Sequence, residues 1–432
     1  MAVRTGDELE LIVEKAASGG FMIARHEGEV LLVRGAIPGE RVRVRVTRAE
    51  KKVAFADATR VLEPSADRRE PPGDPACGGC LYAFIDYPRQ LQLKGDIVRD
   101  AFTRIGRIPL DDAVAVAGSP ERAYRMRGRF HVRGREIGFY REGTHDLCDA
   151  RATGQLSDES IDAVEEAVAS LAVQGINVAS VELAENAAGD MRALHFDLRD
   201  AKASSDAFAR AAAAAKLSGC TARTIDETFY SAGDPLVRDP LDVVSGDRVS
   251  GGALSRHPEA FFQGNRFLLP SLVGAVMDAV PGGSVLDFYA GVGLFSVPLA
   301  ASARGKVTAV EGDPVSGRDL RRNAEPFGEH LRVVRSSVEA FLARGGRSAP
   351  DTLVVDPPRT GMSREATDGI LGLRPERIVY VSCDAATMAR DARRLLDAGY
   401  ELLSLQGFDL FPNTPHVETL GVFTKRGHST FP

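Results

Sequence analysis

The sequence predicts an α/β fold in which a Rossmann-like, doubly wound parallel sheet follows an N-terminal β-barrel of the OB-like kind and a central α+β domain. Three observations predict it. Residues 1–62 alternate apolar and polar positions in short runs broken by glycine, the pattern of a small antiparallel barrel. From about residue 256 to 432, apolar strands such as SVLDFYA, VTAVEGD, DTLVVDPP and RIVYVSC alternate with helical stretches such as FSVPLAASA and ATMARDARRLLDAG. That succession belongs to a sheet with helices on both faces. Between the two, residues 63–255 form a linker loop with a CGGC motif and a central domain, whose segment 156–255 mixes alanine-rich helical patterns with short strands and carries no chemical signature. A chain of 432 residues also exceeds one ordinary core of about 150 residues, which suits two or three domains.

Apolar residues make up 44% and charged residues 26% of the chain, proportions that fit a globular protein and exclude a disordered or fibrous one. No apolar run approaches the roughly 20 residues that cross a bilayer, and the N-terminus lacks the apolar stretch of a secretory leader. The expectation is a cytoplasmic monomer without membrane contact. Five scattered cysteines argue for thiols kept reduced rather than a disulfide framework. With a net charge of −6, attraction to nucleic acid has to come from local basic patches.

The first such patch is RVRVRV in the barrel. Arg41, Arg43 and Arg45 share one strand face there, Val42, Val44 and Val46 share the other, and Arg48, Lys51 and Lys52 follow. Two readings stand: a solvated outer face, or a basic surface tracking a phosphate backbone, partly neutralised by the flanking Glu40 and Glu50. Residues 64–80, PSADRREPPGDPACGGC, form a proline- and glycine-rich loop leaving the barrel. A helix follows through LQLKGDIVRDAFTRIG, then a second basic hairpin over 120–140 in which Arg125, Arg127 and Arg129 alternate.

The C-terminal third carries the chemistry. Ligands gather at the carboxyl ends of strands in such sheets, and Asp287, Glu311, Asp356 and Cys383 all fall there. DFYAGVGLFS sets Gly291, Gly293 and Leu294 in a turn between strand and helix, where absent side chains let a ligand approach the backbone. Glu311 closes the next strand 18 residues after Gly293, placed to accept hydrogen bonds from both hydroxyls of a ribose. That much suits NAD and S-adenosylmethionine equally. A dinucleotide fingerprint wants a third glycine where Ser296 stands, and the acidic Asp287 suits a cationic, phosphate-free ligand, so the balance moves to S-adenosylmethionine. In VVDPPRTG two prolines stiffen the turn that holds Asp356 over the sheet edge. Arg359 stands where amino-group methyltransferases carry an aromatic ring, which disfavours methylation of an exocyclic amine. In IVYVSCDAATMARD an apolar strand ends in Ser382, Cys383 and Asp384 as a helix begins. The positive helix end favours a Cys383 thiolate; an inert buried thiol is the plainer alternative.

Together with FFQGN, these motifs resemble the RNA 5-methyluridine methyltransferases, which act on carbon 5 of uracil in ribosomal and transfer RNA. The first 62 residues resemble the TRAM barrel down to the PGE turn at Pro38 to Glu40. FFQGN, DFYAGVG, VEGD, DPPR, SCDAATMARD and FPNTPHVET follow in the family's order. The resemblance implies S-adenosylmethionine as cofactor, Cys383 as the thiolate that adds to carbon 6 of uracil, and Glu418 as the base that removes the carbon 5 proton. Gln263, Tyr289, Glu311 and Asp356 match the family's cofactor and active-site contacts. The target uridine would have to swing out of its stack. RNA is the implied partner, 23S rRNA ahead of tRNA because the barrel accompanies ribosomal substrates more often. The alternatives are a tRNA uracil-5 methyltransferase, methyl transfer to another RNA group, and an RNA-binding or remodelling protein with an idle site. The intact pair of Cys383 and Glu418 speaks against the last two.

Two departures from the family's pattern matter. Many members with this barrel hold an iron-sulfur cluster on four cysteines, of which only Cys77 and Cys80 match here. Pro71 and Thr153 occupy the other two positions, and Cys148 lies five residues before Thr153. Two thiolates cannot hold a four-iron cluster, and three could do so only if the chain shifted Cys148 inward, so loss of the cluster, and no metal, is the expectation. Ser337 stands where many members have an acidic residue near the adenine amino group, a change expected to weaken cofactor binding.

Overall fold

The computed structural model describes residues 3–345 and 348–427. The N-terminal alternation folds into a closed barrel of β1 (Glu8–Ala16), β2 (Met22–His26), β3 (Glu29–Arg34), β4 (Arg41–Ala49) and β5 (Val53–Glu63). Val42, Val44 and Val46 are buried inside it, as the period of two requires. The pairing of β3 with β5 is parallel, the one departure from the antiparallel reading.

The arginines of β4 point outward and meet carboxylates from the neighbouring strands. Arg43 and Arg45 each donate at 2.8 Å, to Glu10 and Glu8 on β1, while Arg41 reaches both Glu10 (3.3 Å) and Glu63 (3.4 Å). The strip is therefore a cross-strand ion lattice. Its acids come from β1 and β5, which are distant in sequence, more than from the flanks. Glu50 does pair with Arg48, but Glu40 is buried and holds Arg68 at 2.7 Å and the amides of Ile37 and Ser65.

Beyond the loop, α1 (Tyr87–Arg104) buries Val98, Ala101 and Phe102 in a core shared with Met388, Ala389 and Ala392. β6 (Val116–Ala117) joins the edge of the C-terminal sheet. Residues 87–117, which the sequence reading grouped with the central domain, are thus built onto the C-terminal core. A helix's apolar stripe shows that it has a partner without showing which one.

The central domain consists of β7 (Arg127–Arg133), β8 (Glu136–Tyr140), β9 (Leu147–Asp149), α2 (Asp158–Val173), β10 (Val178–Glu185), β11 (Arg192–Leu198), α3 (Ser205–Ala214), β12 (Gly219–Arg223) and β13 (Phe229–Gly233). Its sheet runs β13-β12-β11-β10-β7-β8-β9. Both helices cover one face, packing Val164, Leu171 and Phe208 with Phe130, Leu194 and Phe196 of the sheet. The second basic hairpin is β7 and β8, but Arg125 precedes it and turns inward, donating to Gln155 Oε1 at 2.6 Å.

A ribbon of β14 (Val237–Pro240) and β15 (Ala253–Arg256), with α4 (Leu241–Ser245) between them, leads to α5 (Leu269–Ala279). Then come β16 (Gly283–Phe288), α6 (Ser296–Ala301), β17 (Gly305–Glu311), α7 (Pro314–Ala324), β18 (Leu331–Arg335), α8 (Val338–Ala343), β19 (Thr352–Val355), α9 (Arg364–Leu373), β20 (Arg377–Ser382), α10 (Ala385–Asp397), β21 (Tyr400–Phe408) and β22 (Glu418–Lys425). The order across the sheet is β18-β17-β16-β19-β20-β22-β21-β6. β16 to β20 pair in parallel, and the order reverses between β16 and β19, where open α/β sheets place their ligands. The last hairpin corrects the expectation of a wholly parallel sheet. No helix follows β21, so the chain returns directly and β22 inserts antiparallel between β20 and β21. Among the described residues, no helix is long and apolar enough to cross a membrane.

Candidate active site

The carboxyl edge of the C-terminal sheet collects the side chains that the sequence singled out. β16 ends at Phe288, and the next residue, Tyr289, takes a left-handed φ of 61°, a costly value for an aromatic residue. It swings the chain into the loop of Gly291 and Gly293. A Cβ on Gly293 would lie 2.7 Å from Val297, so this glycine lets α6 pack close; nothing would lie within 4 Å of a Cβ on Gly291, which leaves its side open. Gln263, Tyr289, Gly291, Leu294 and Asp356 line one pocket together with Phe262. Glu311 joins from β17. Its two oxygens accept the amides of Gly291 (2.7 Å) and Asp313 (2.6 Å). A carboxylate offers about four lone-pair sites, so acceptor capacity remains for a diol.

Asp287 lies buried beneath this loop. Its Oδ2 accepts the Ser296 hydroxyl at 2.5 Å, and its Oδ1 has no hydrogen-bond donor among the described residues. The serine that replaces a third glycine is thus the partner of this acid. Burial, aided by the Glu311 charge, pushes the Asp287 carboxyl up to about 7. Burial and then repulsion from Asp287 push Asp356 up to about 7 as well, against a hydrogen bond from Gln263. Two desolvated carboxyl groups with spare acceptor capacity make a seat for positive charge.

Cys383 follows β20 directly. The last antiparallel pair is Ser382 with Thr419; Cys383 and Glu418, the first residue of β22, flank it, and the Glu418 charge acts on the thiol. Glu418 is buried, and its Oε1 has no hydrogen-bond donor among the described residues. Burial and repulsion from Asp356 raise its carboxyl well above the usual range, against the Arg359 cation. Nor is the thiol ionised at rest, as the helix argument had suggested. Burial first, then the Glu418 charge, push Cys383 up to about 11, with Arg359 opposing. Asp384 already caps α10, its carboxylate accepting the Thr387 amide at 2.8 Å, so the positive helix end is spent on the cap.

Arg359 is therefore the cation that acts on both groups. The DPPR motif was its only signal, and the sequence reading treated it as a substitute for an aromatic ring. Ser337 has a structural use: it caps α8, accepting the Ala340 amide at 3.2 Å. On the far side of Tyr289 a cleft of about 820 Å³ is lined by Pro358, Thr360, Met362 and Arg390. Pro358 and Thr360 belong to VVDPPRTG and Arg390 to SCDAATMARD, but nothing in those motifs marked them as the wall of a cleft.

The CGGC motif lies elsewhere. Cys77, Cys80 and Cys148 gather with Ala83 in a small buried cluster, and Cys77 and Cys148 are joined by a disulfide. This pair overturns the expectation of reduced thiols throughout. A separation of 71 residues hid the proximity. Thr153 is buried with its hydroxyl donating to the Ala150 carbonyl at 2.7 Å, and the Gln155 amide fills the space over Gly79, 1.9 Å from where a Cβ would stand. Three thiols gather here, one fewer than the four cysteines that hold the family's four-iron cluster.

Comparison with known proteins agrees with this geometry. Residues 2–59 match the TRAM domain, and residues 253–427 match the family described as tRNA (Uracil-5-)-methyltransferase. The chain is 32% identical to an uncharacterized RNA methyltransferase of Nitratidesulfovibrio vulgaris, over 98% of this chain and 97% of the relative. It is also 32% identical to the 23S rRNA (uracil(1939)-C(5))-methyltransferase RlmD of Pectobacterium carotovorum, over 94% and 91%. Among solved structures it is similar to Pyrococcus abyssi tRNA (uracil-54, C5)-methyltransferase in complex with S-adenosyl-L-homocysteine, with a TM-score of 0.73 and 23% identity, covering 96% of this chain and 100% of that one. At that identity the likeness is one of fold.

Proposed function

The chain belongs to the RNA uracil-5 methyltransferases, and from that premise we propose that it methylates a uridine of 23S ribosomal RNA with S-adenosylmethionine as donor. The observation that carries the reading is Cys383 beside the buried Glu418, both acted on by Asp356, which lines the pocket and is itself raised by the buried Asp287. Gln263, Tyr289, the Gly291 turn, Leu294, Glu311 and Asp356 would hold the cofactor. Bound there, it supplies an electrophilic methyl group on a sulfonium whose positive charge suits Asp287 and Asp356.

The chain's own residues do the rest. Carbon 5 of uracil is a poor nucleophile until the Cys383 thiolate adds to carbon 6 and shifts electron density onto carbon 5. In the free protein the thiol keeps its proton, and nearby positive charge, beginning with Arg359, favours its loss. After carbon 5 is methylated, Glu418 takes its proton and the thiolate leaves. Binding alone needs neither group. The test is incubation with labelled cofactor and RNA carrying 5-fluorouridine, whose fluorine cannot leave as a proton. A covalent complex stable to denaturation is the expected result, and its absence refutes the mechanism.

The carboxyl groups give a pH dependence. A cationic ligand favours the ionised forms of Asp287 and Asp356, so affinity for S-adenosylmethionine is expected to rise as pH increases through about 7. S-adenosylhomocysteine, whose sulfur is uncharged, should show a shallower rise. Calorimetric titrations between pH 6 and 8 check this, and equal slopes would remove the sulfonium from the argument.

Ribosomal RNA is favoured because the relative named for it is 32% identical to this chain, against 23% for the tRNA enzyme of similar fold. Nucleoside maps of 23S rRNA and tRNA from a deletion strain decide between the two. For the barrel, the ion lattice revises the expectation. Arg41, Arg43 and Arg45 are each already paired with carboxylates of Glu8, Glu10 and Glu63, so replacing all three with glutamine is expected to lower the salt slope of RNA binding by about one unit rather than three. A full loss of three would show that the arginines release their carboxylates to phosphate.

A further inference from the structure

We propose that Cys77 and Cys148 form a reversible disulfide that ties the loop leaving the barrel to the edge of the central sheet and steadies the segment carrying Glu418. Cys77 sits in the proline-rich loop and Cys148 in β9, the edge strand of the sheet. Their Cα atoms are 5.9 Å apart, inside the roughly 4.4–6.8 Å span that a disulfide bridges. The two are brought together without the bond. Gly78 donates to the Tyr140 carbonyl at 3.3 Å, Glu142 donates to the Ala76 carbonyl at 2.8 Å, and Arg141 donates to Asp74 at 2.7 Å. Cys80 shares the cluster and stays a free thiol, which burial pushes up to about 11.

The pair is also connected to the active site. From Cys77 the loop turns through backbone bonds of Cys80 to the Cys77 carbonyl and of Ala83 to the Cys80 carbonyl, and the Tyr82 amide donates to the Asn413 carbonyl at 2.8 Å. Arg69 and Gln90 each donate to Asn413 Oδ1 at 2.9 Å. Asn413 lies in the connection between β21 and β22, five residues before Glu418. The disulfide is thus one end of a short chain of contacts whose other end is the connection that delivers Glu418.

Formation consumes two thiols and releases two electrons and two protons to a small-molecule disulfide such as oxidised glutathione. One cysteine thiolate displaces a glutathione thiol to give a mixed disulfide. The second cysteine displaces the other, leaving the protein disulfide and two glutathione thiols. Excess reduced glutathione runs the sequence backward.

The test uses the full chain equilibrated with oxidised or reduced glutathione, then denatured in a maleimide. The oxidised protein should take up three labels on its five cysteines, and the reduced protein five. Peptide mapping should join Cys77 to Cys148, and Cys80→Ser should leave that link intact. The oxidised form should melt roughly 5 °C or more above the reduced form, and its amides in 409–417 should exchange more slowly. Five labels after oxidation, a link through Cys80, or stoichiometric iron at the three cysteines would overturn the proposal. Equal melting and equal exchange in the two states would overturn the connection to Glu418. Should Cys80→Ser fail to fold, the label count and the peptide map on the unaltered chain still decide. None of these readouts uses RNA or cofactor, so they stand apart from the methylation reading.

Discussion

Cys383→Ala is expected to lose methylation by roughly 10⁴- to 10⁶-fold, the scale on which removing a covalent nucleophile acts, while its affinity for RNA stays within a few-fold of the unaltered protein. The split follows from where each energy arises. Phosphate contacts supply most of the binding, whereas the thiolate acts only after the base is seated. Cys383 is half-buried behind the last pair of β20 and β22, and removing one sulfur there leaves the strand pairing and the Asp384 cap in place. Single-turnover methylation and RNA titrations on the same preparation decide it. Residual turnover above a tenth of the original would refute the nucleophile assignment, and parallel loss of affinity and turnover would make the residue structural.

Glu418→Gln is expected to slow turnover about 10²- to 10⁴-fold by a different route, since the amide cannot take the carbon 5 proton. The step before it needs only Cys383 and the cofactor, so a methylated protein–RNA adduct should accumulate and survive denaturing electrophoresis. The substitution is close to isosteric. Burial already raises the Glu418 carboxyl well above its usual range, so an uncharged amide of the same shape should affect folding little. An inactive variant that traps nothing would assign Glu418 an earlier role, such as taking the Cys383 proton. Combining the two substitutions separates these outcomes, because no adduct can form without the thiol.

Local patterns determined a good deal of this protein. Period-two alternation placed Val42, Val44 and Val46 inside a barrel and the arginines outside, because side chains on a strand alternate faces whatever the strand pairs with. Alternating strands and helices required an α/β sheet, and its geometry put Gly291, Glu311, Asp356 and Cys383 at one edge. Asp384 announced the start of α10, since a cap works through its own backbone neighbours. What the tertiary structure decided were the pairings between distant segments and the dielectric around them. That Cys383 lies beside Glu418 follows from β22 inserting beside β20. That Arg41, Arg43 and Arg45 are already paired follows from the register of β4 against β1 and β5. The meeting of Cys77 with Cys148 belongs to the same class, as does the packing of α1 on the C-terminal core. Protonation states went the same way: a helix end next to Cys383 predicted a thiolate, yet burial and the charge of Glu418 outweigh it. The reason is common to all of these. Propensity, capping and face alternation act over a few residues and are written in the local sequence, whereas desolvation and ion pairing depend on every segment that closes around a group.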